Sequence, residues 1–561
     1  MFKYKHLKKE NIMNGIEYIA KILKAEGIET LTCFPSNPLI EASAKEGIRT
    51  IAFRHERGAV MAADGISRTS ARQKFGVVTV QSQAGAENAM GGIAQAYADN
   101  IPILVMPGGI SLNQIGVKPN FSAVHKYQGW VKQVETVLSP QEVGNVMRRA
   151  FNALRNGPPG PVVVEMTSDV CSLEIPKGFE NYHSPKAAEV VPSQNDIRDA
   201  VKFLLKAKKP LIWAGGGVLM SGASKELKDL VEQTGIPVFC SLPGKSAFDE
   251  RHPLSLGAGC GTTTLAAHQW LKNSDVILVL GSSLTRTPYG QSIGPGKTIL
   301  HNTINPEDLN KDEPAMVGLI GDTKLTLHAL IEEFKIQGHK KKIDEVAQIK
   351  EEINELKKKW MEKWNPILNS DEAPLNYYRI INEIYKNIDP EKSIVTSDAG
   401  APRDCMVPFY KATSPNSYVG WGKTTHLGFG IPLMIGAKIA HPEKFCLNLM
   451  GDGAFGMSGL DLETAVRAEL PISTVLLNNG AMSTYEGTSL IGPVSKRKYG
   501  VSHMKGDYAK IAEGMGAVGI RVSQPSEMAP ALKEAQLLNK EGQTVLIDVQ
   551  ANVEGRRSTL S

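Results

Sequence analysis

A chain of 561 residues is too long for one hydrophobic core and implies about three or four domains. Its 63 basic and 58 acidic residues are scattered, so the net charge of +5 forms no concentrated basic face, which excludes nucleic acid as the main partner. Apolar residues make up 42% and aromatics 6%, enough for a proper core in each domain. The six cysteines, Cys33, Cys171, Cys240, Cys260, Cys405 and Cys446, stand apart in apolar segments without a CxxC pair, which reads as buried free thiols of a reducing compartment. No stretch reaches the apolar length of a membrane span, and no hydrophobic region follows the charged N-terminus. A cytoplasmic protein without a membrane partner is expected.

From Met13 helix and strand alternate. Residues 16–25 have amphipathic helical spacing, 30–34 read as a strand, and Pro35-Ser36-Asn37-Pro38 as a turn. A second strand over 48–53 ends at Arg54-His55-Glu56-Arg57, and a helix of small residues begins at Gly58. Glu56 at that junction meets an Ala and Val face, and partial desolvation there favours its neutral form. The plainer reading is a solvated glutamate bridged to Arg54 or Arg57. A third strand over 75–80 runs into Gln81-Ser82-Gln83-Ala84-Gly85, a small-residue helix to Asp99 and a strand over 101–106. Both glutamines suit turn hydrogen bonding as well as a site, because a carboxamide donates and accepts.

Residues 176–192, polar and punctuated by proline, mark a boundary. A fresh α/β domain starts where a strand meets Gly215-Gly216-Gly217, with further strands at 236–240, 276–280 and 298–301. A triple glycine there suits a nucleotide phosphate, but the full dinucleotide fingerprint and its distal acid are missing, which sets aside an NAD-dependent dehydrogenase. Residues 340–364 are heavily charged with helical periodicity, a solvated connector helix.

In the last third an apolar strand over 445–450 meets Gly451-Asp452-Gly453, helical spacing follows over 460–469, and a second apolar strand over 472–477 ends at Asn478-Asn479-Gly480. Such a unit closes a right-handed crossover. The Asp452 carboxylate and the Asn479 amide oxygen then fall at the carboxyl ends of neighbouring parallel strands, where open α/β sheets bind ligands. Two oxygen donors beside a glycine turn and a helix start suit a small hard cation carrying a diphosphate. The order strand, glycine turn, helix, strand also surrounds Gln81, and residues 98–105 echo 468–475, which points to two related domains. The expected fold class is α/β, with three doubly wound parallel sheets in domains at 1–185, 190–338 and 373–561 and the connector at 339–372.

Gly451-Asp452-Gly453 with its later paired asparagine resembles the motif of thiamine-diphosphate enzymes. Arg54-His-Glu-Arg-Gly-Ala-Val-Met-Ala-Ala-Asp-Gly65 resembles their segment in which a strand-end glutamate meets the cofactor's aminopyrimidine. Over nearly its whole length the chain is similar to the acetolactate synthase and 2-hydroxyacyl-CoA lyase superfamily. The resemblance implies thiamine diphosphate and Mg²⁺ as cofactors, with the metal on Asp452, the Asn479 side chain and the Ala481 carbonyl, and the diphosphate about Gly451, Gly453 and Ala454. It implies that Glu56 shares a proton with the pyrimidine ring and so activates the cofactor. Pro35, Gln81, Gln83 and Asn88 would border the reacting end. Leu427, in the segment 421–432, would wedge between the two cofactor rings, although the same position suits an ordinary core leucine. His426, Gln81, Gln83 and Tyr485 are the candidates for proton handling. A homodimer is implied at minimum, with the cofactor between the pyrimidine-binding first domain of one subunit and the diphosphate-binding third domain of another; a homotetramer is the expected pair of dimers.

The central domain of that family takes FAD, an ADP-bearing group or nothing. Residues 281–289 depart from the Arg-Phe-Asp-Asp pattern of flavin-binding members, which counts against FAD and leaves ADP or CoA, with Arg286 as a phosphate contact or a solvated arginine. Two departures bear on the reaction. Asn120-Phe121-Ser122 stands where a synthase is expected to carry Ala-Phe-Gln-Glu, and residues 482–488 lack its Gln-Trp-Gln. Both favour a 2-hydroxyacyl-CoA lyase acting on a 2-hydroxyacyl-CoA, its basic tail at 554–561 closing over a CoA phosphate, above acetolactate synthase-type decarboxylation and carboligation of a 2-oxo acid. Either way a carbon-carbon bond beside a carbonyl is made or cleaved.

Overall fold

The apolar runs form strands buried on both faces, the pattern of parallel sheets covered by helices. The computed structural model describes residues 13–338, 343–482 and 492–560. The chain divides into two compact units, Met1–Ser67 with Lys74–Ala188 and Arg68–Gln73 with Glu189–Ser561. The first unit is built on β1 (Thr30–Cys33), β2 (Arg49–Ala52), β3 (Gly76–Val80), β4 (Ile103–Gly109), β5 (Gln133–Val137) and β6 (Val162–Thr167), in the order β2-β1-β3-β4-β6-β5. The second unit holds two sheets. One comprises β7 (Leu211–Ala214), β8 (Val238–Ser241), β9 (Ser255–Gly259), β10 (Val276–Leu280), β11 (Thr298–Thr303) and β12 (Val317–Ile320), ordered β12-β11-β10-β7-β8-β9. The other comprises β13 (Ser393–Ser397), β14 (Tyr418–Val419), β15 (Phe445–Gly451), β16 (Ser473–Asn478), β17 (Val518–Val522) and β18 (Val545–Gln550), ordered β14-β13-β15-β16-β18-β17.

Every pairing within these sheets is parallel. Counted from its own first strand, the first sheet runs 2-1-3-4-6-5 and the third repeats that order, whereas the central sheet runs 6-5-4-1-2-3. The internal echo in the sequence is thus a repeat of topology. In the first and third sheets the chain changes direction between β1 and β3 and between β13 and β15, and ligands of open sheets bind outside the carboxyl ends at such points.

Local chemistry sets the elements. The helix Gly15–Ala25 opens with a reciprocal cap, in which Asn14 Oδ1 accepts from Glu17 N at 2.9 Å and Glu17 Oε2 from Asn14 N at 3.0 Å. Its Tyr18, Ile19, Ile22 and Leu23 face the core. The glycine motif begins a helix directly, Asp452–Ser458, rather than forming a separate turn, and a second helix, Asp461–Arg467, completes the crossover. All six cysteines are buried and none is in a disulfide. No helix among the described residues is long and apolar enough to cross a membrane.

Two expectations are corrected in the second unit. The connector, Ile343–Leu368, is more than a solvated helix: Ile353, Trp360, Trp364 and Leu368 are buried, and Trp360 stacks on Phe409 with ring centroids 4.6 Å apart. Charge on the remaining faces conceals this narrow apolar stripe in the composition. The basic tail is not a flap for a CoA phosphate. Arg556 is held by Glu554 and Glu372 at 2.7 and 2.8 Å. Its carbonyl accepts from Tyr378 Oη at 2.8 Å. Ser558 Oγ donates to Thr263 O at 2.7 Å and accepts from Trp360 Nε1 at 3.1 Å, while Thr263 N donates to Ser558 O at 3.0 Å. At roughly 1 kcal/mol for each buried bond, deleting residues 554–561 should cost the second unit about 4 kcal/mol, read as a lower urea midpoint.

Candidate active site

The third sheet gathers oxygen donors at its carboxyl edge. β15 and β16 pair directly, so Asp452 and Asn479 each follow the end of adjoining strands. Asp452 Oδ1 accepts from Gly453 N at 2.8 Å and Oδ2 from Gly480 N at 2.9 Å, which ties the two motifs together. Asn479 Nδ2 donates to the Tyr377 hydroxyl at 2.6 Å, and its Oδ1 accepts from Ala481 N at 2.9 Å. Ala481 is fixed opposite His503 by bonds made on either side of it, Met482 N to Ser502 O at 2.7 Å and Met504 N to Gly480 O at 2.9 Å. The other asparagine of the pair turns away, Asn478 Nδ2 donating to Asp548 at 2.9 Å.

Whether these residues suit a cation is tested by Asp452 itself. Asp452 is only 3% exposed, and among the described residues its carboxylate meets backbone amides rather than a cationic side chain. Burial first, and the neighbouring Asp548 carboxylate as a lesser cause, push its carboxyl above the usual range, against the pull of the backbone amides. A buried anion in this position is costly, and a divalent cation shared with the Asn479 oxygen and the Ala481 carbonyl would relieve the cost. A Cβ on Gly451 would meet nothing within 4 Å, so the chain leaves room beside the motif, whereas one on Gly453 would stand 3.1 Å from Met482 Cγ. Ala454 is buried beneath them. The set is mixed Asp, Asn and carbonyl; among the described residues no three or more His, Cys, Asp or Glu gather as a metal cage.

A second cluster lies at the end of β13. Asp398 is fully buried and accepts from Ala399 N at 2.9 Å, Gly428 N at 3.0 Å and Gly430 N at 2.9 Å. It thereby fixes the segment that carries half-buried His426 and Leu427 into the helix Gly430–Ala440. Burial pushes the Asp398 carboxyl up to about 6, opposed by those amides. Gly430 must be glycine, since a Cβ there would lie 2.1 Å from Asn448 Oδ1.

The first sheet brings together the acid and its neighbours. Glu56 is the first residue of the helix Glu56–Thr69 and is 4% exposed. Asn88 Nδ2 donates to Glu56 Oε2 at 3.1 Å, and His55 Nδ1 lies 3.8 Å from the same oxygen. The carboxylate is therefore engaged by Asn88 and His55 rather than solvated beside Arg54 or Arg57. Gly85 lets the next turn close over it: a Cβ there would lie 2.7 Å from Gln81 Cβ and 3.5 Å from Glu56 Oε1. Pro35 and Gln81 are exposed and Gln83 is half-buried. Asn37 draws the turn after β1 to the end of β3 by donating to Val80 O at 3.2 Å.

In the central sheet the nucleotide signals have other uses. Gly215 N donates to Leu280 O and Gly217 N to Gly281 O, both at 2.8 Å. A Cβ on Gly215 would be 2.3 Å from Gly281 O, so these glycines let two loops touch. Arg286 is taken by Glu313 at 2.8 Å. Tyr485 lies outside the described residues. Asp398, Tyr377 and Asn37 are not apparent from sequence as site residues. Only Asp398 carries a local signal, a carboxylate between an apolar strand and a glycine.

Residues 13–136 match the family model "Thiamine pyrophosphate enzyme, N-terminal TPP binding domain", 197–330 the central domain and 398–549 the "C-terminal TPP binding domain". A probable acetolactate synthase large subunit of Methanococcus aeolicus is 31% identical, over 93% of this chain and 90% of its own. One of Methanocaldococcus jannaschii is 31% identical over 94% and 90%, and isozyme 3 of Escherichia coli 28% over 96% and 95%.

Asp398 also sets a pH dependence. Because its folded-state pKa is raised from 3.8 to about 6, the folded chain holds a proton that the unfolded chain has lost. The stability it confers is present below about pH 4 and is lost as pH rises through about 6, on the order of 3 kcal/mol. The difference in unfolding free energy between wild type and Asp398→Asn should fall by that amount from pH 4 to 7, measured by urea titration at each pH.

Proposed function

Since this chain belongs to the thiamine pyrophosphate enzymes, as a carbon-carbon lyase or carboligase, we propose that it is an acetolactate synthase-type enzyme that decarboxylates one 2-oxo acid and joins the remaining acyl unit to a second. With pyruvate the balance is two pyruvates and one proton to acetolactate and CO₂. The observation that carries this reading is similarity to acetolactate synthase large subunits along nearly the full length of both chains. It stands above the 2-hydroxyacyl-CoA lyase because two of the three features that favoured a lyase serve the fold instead: the tail is pinned to its own domain, and Ser122 caps the helix Ala123–Tyr127; of the third, residues 482–488, only Met482 is among the described residues.

When bound, thiamine diphosphate supplies a carbon nucleophile at C2 and a ring that accepts the electrons of the cleaved bond. Asp452, Asn479 and the Ala481 carbonyl hold Mg²⁺, and Gly451, Gly453 and Ala454 leave space for the diphosphate. Glu56, kept from water and hydrogen-bonded by Asn88, would be the acid that exchanges a proton with the pyrimidine. Leu427, on the segment that Asp398 fixes, would pack against the cofactor rings, and Pro35, Gln81, Gln83 and His426 would line the reacting end. The cofactor joins the first domain (1–185) of one subunit to the third (373–561) of another in a cytoplasmic homodimer or homotetramer, with the central domain at 190–338 and the connector at 339–372. FAD, ADP and CoA have no part in this reading.

Mass analysis after incubating the Mg²⁺- and thiamine-diphosphate-loaded enzyme with pyruvate should find acetolactate; cleavage of a 2-hydroxyacyl-CoA with none from pyruvate would overturn the proposal. Glu56→Gln should lower kcat by about 10²–10⁴-fold, with cofactor Kd changed only a few-fold by fluorescence titration. Asp452→Ala should instead abolish Mg²⁺-dependent cofactor binding in that titration.

A further inference from the structure

Gln83 sits in a backbone conformation that suits no side chain. Its φ of 52° and ψ of −97° place a Cβ-bearing residue in sparsely populated territory, two positions before a glycine in the same turn. It precedes the helix Ala84–Ala98 without capping it, since its side chain accepts no bond from the helix start. The residue thus bears a conformational cost and does no ordinary capping work.

Its side chain points instead to one partner: Gln83 Nε2 lies 3.4 Å from Asn120 Oδ1. The segment following Asn120 is anchored from below. Buried Glu165 on β6 accepts from Ser122 Oγ, from Ala123 N at 2.8 Å and from Thr136 Oγ1 at 3.0 Å. A buried carboxylate therefore fixes the position of Asn120, and Asn120 meets the strained glutamine. Two carboxamides from separate segments thus meet beside the helix start whose Gly85 lies against Glu56.

We propose that Gln83 and Asn120 form the specificity determinant for the acceptor, a neutral carboxamide pair whose remaining N–H groups bind the carboxylate of the second 2-oxo acid. With one N–H used between them, the two amides keep three, a donor-rich edge suited to carboxylate oxygens. This inference rests on the acetolactate synthase-type reading and assigns the acceptor subsite within it.

The test uses the full chain loaded with thiamine diphosphate and Mg²⁺, with oxamate, an unreactive carboxylate isostere of pyruvate, as the binding probe. Gln83→Glu and Asn120→Asp keep shape while turning a donor into an anion, and each should raise the oxamate Kd at least 10-fold and lower the ratio of acetolactate to acetaldehyde formed from pyruvate. Gln83→Gly should raise Tm by a few degrees as the backbone relaxes, while KM for pyruvate rises more than kcat falls. Unchanged oxamate Kd and product ratio in both acidic variants, with wild type making acetolactate, would overturn this inference alone. A lower Tm for Gln83→Gly would overturn the strain on which it stands. Wild type that makes no acetolactate would sink the reaction reading and this subsite together.

Discussion

Buried negative charge without a balancing side chain governs the carboxyl edge of the third sheet. Asp398, Asp452 and Asp548 are all withdrawn from water, and the chain treats each differently. Asp398 is met by three backbone amides and so becomes the anchor of a loop. Asp548 is met by Asn478 and by the amide of Tyr508 at 3.1 Å, and so anchors the start of a helix. Asp452 receives two amides and stands beside Gly451, where a Cβ would meet nothing within 4 Å. The rest of the site follows from keeping that third carboxylate short of partners: a helix that starts at it, an asparagine whose nitrogen is occupied by Tyr377, and a glycine on the side a ligand would enter.

The first sheet, with the same strand order, solves a different problem. Its acid begins a helix after β2 instead of following a central strand, and it is screened by Asn88 and by the turn that Gly85 lets close. One strand order thus presents a buried carboxylate at a helix start after an edge strand in one sheet, and a set of oxygen donors after two central strands in the other. The central sheet, with its other order, uses its glycines to bring two loops into contact.

What could be read from the residues were features encoded over short spans. Gly451-Asp452-Gly453, the paired asparagine and the Arg54–Gly65 stretch each lie within one crossover, and the echo between residues 98–105 and 468–475 marked a repeated topology. Features made by distant residues could not be read that way. Tyr377 meets Asn479 across about a hundred positions of chain, and nothing around Tyr377 marks it. The triple glycine was ambiguous because a phosphate cradle and a loop contact make the same local demand, absence of a Cβ. Composition misled at the connector and the tail, where charge counts average over a helix face that is buried and arginines that are paired. Ser122 shows the same limit, since its hydroxyl donates to Glu165 and accepts from Val124 N at 3.3 Å, and nothing around it in the sequence announces the distant carboxylate.

The shared strand order has a consequence for biogenesis. Two sheets of identical plan in one polypeptide invite exchange, because a strand of either could add to the edge of the other. Along the chain the twins are separated by the whole of the central sheet and connector. During N-to-C synthesis the earlier twin emerges and can close its hydrogen-bond ladder long before the later one leaves the ribosome, so vectorial translation itself guards against the swap.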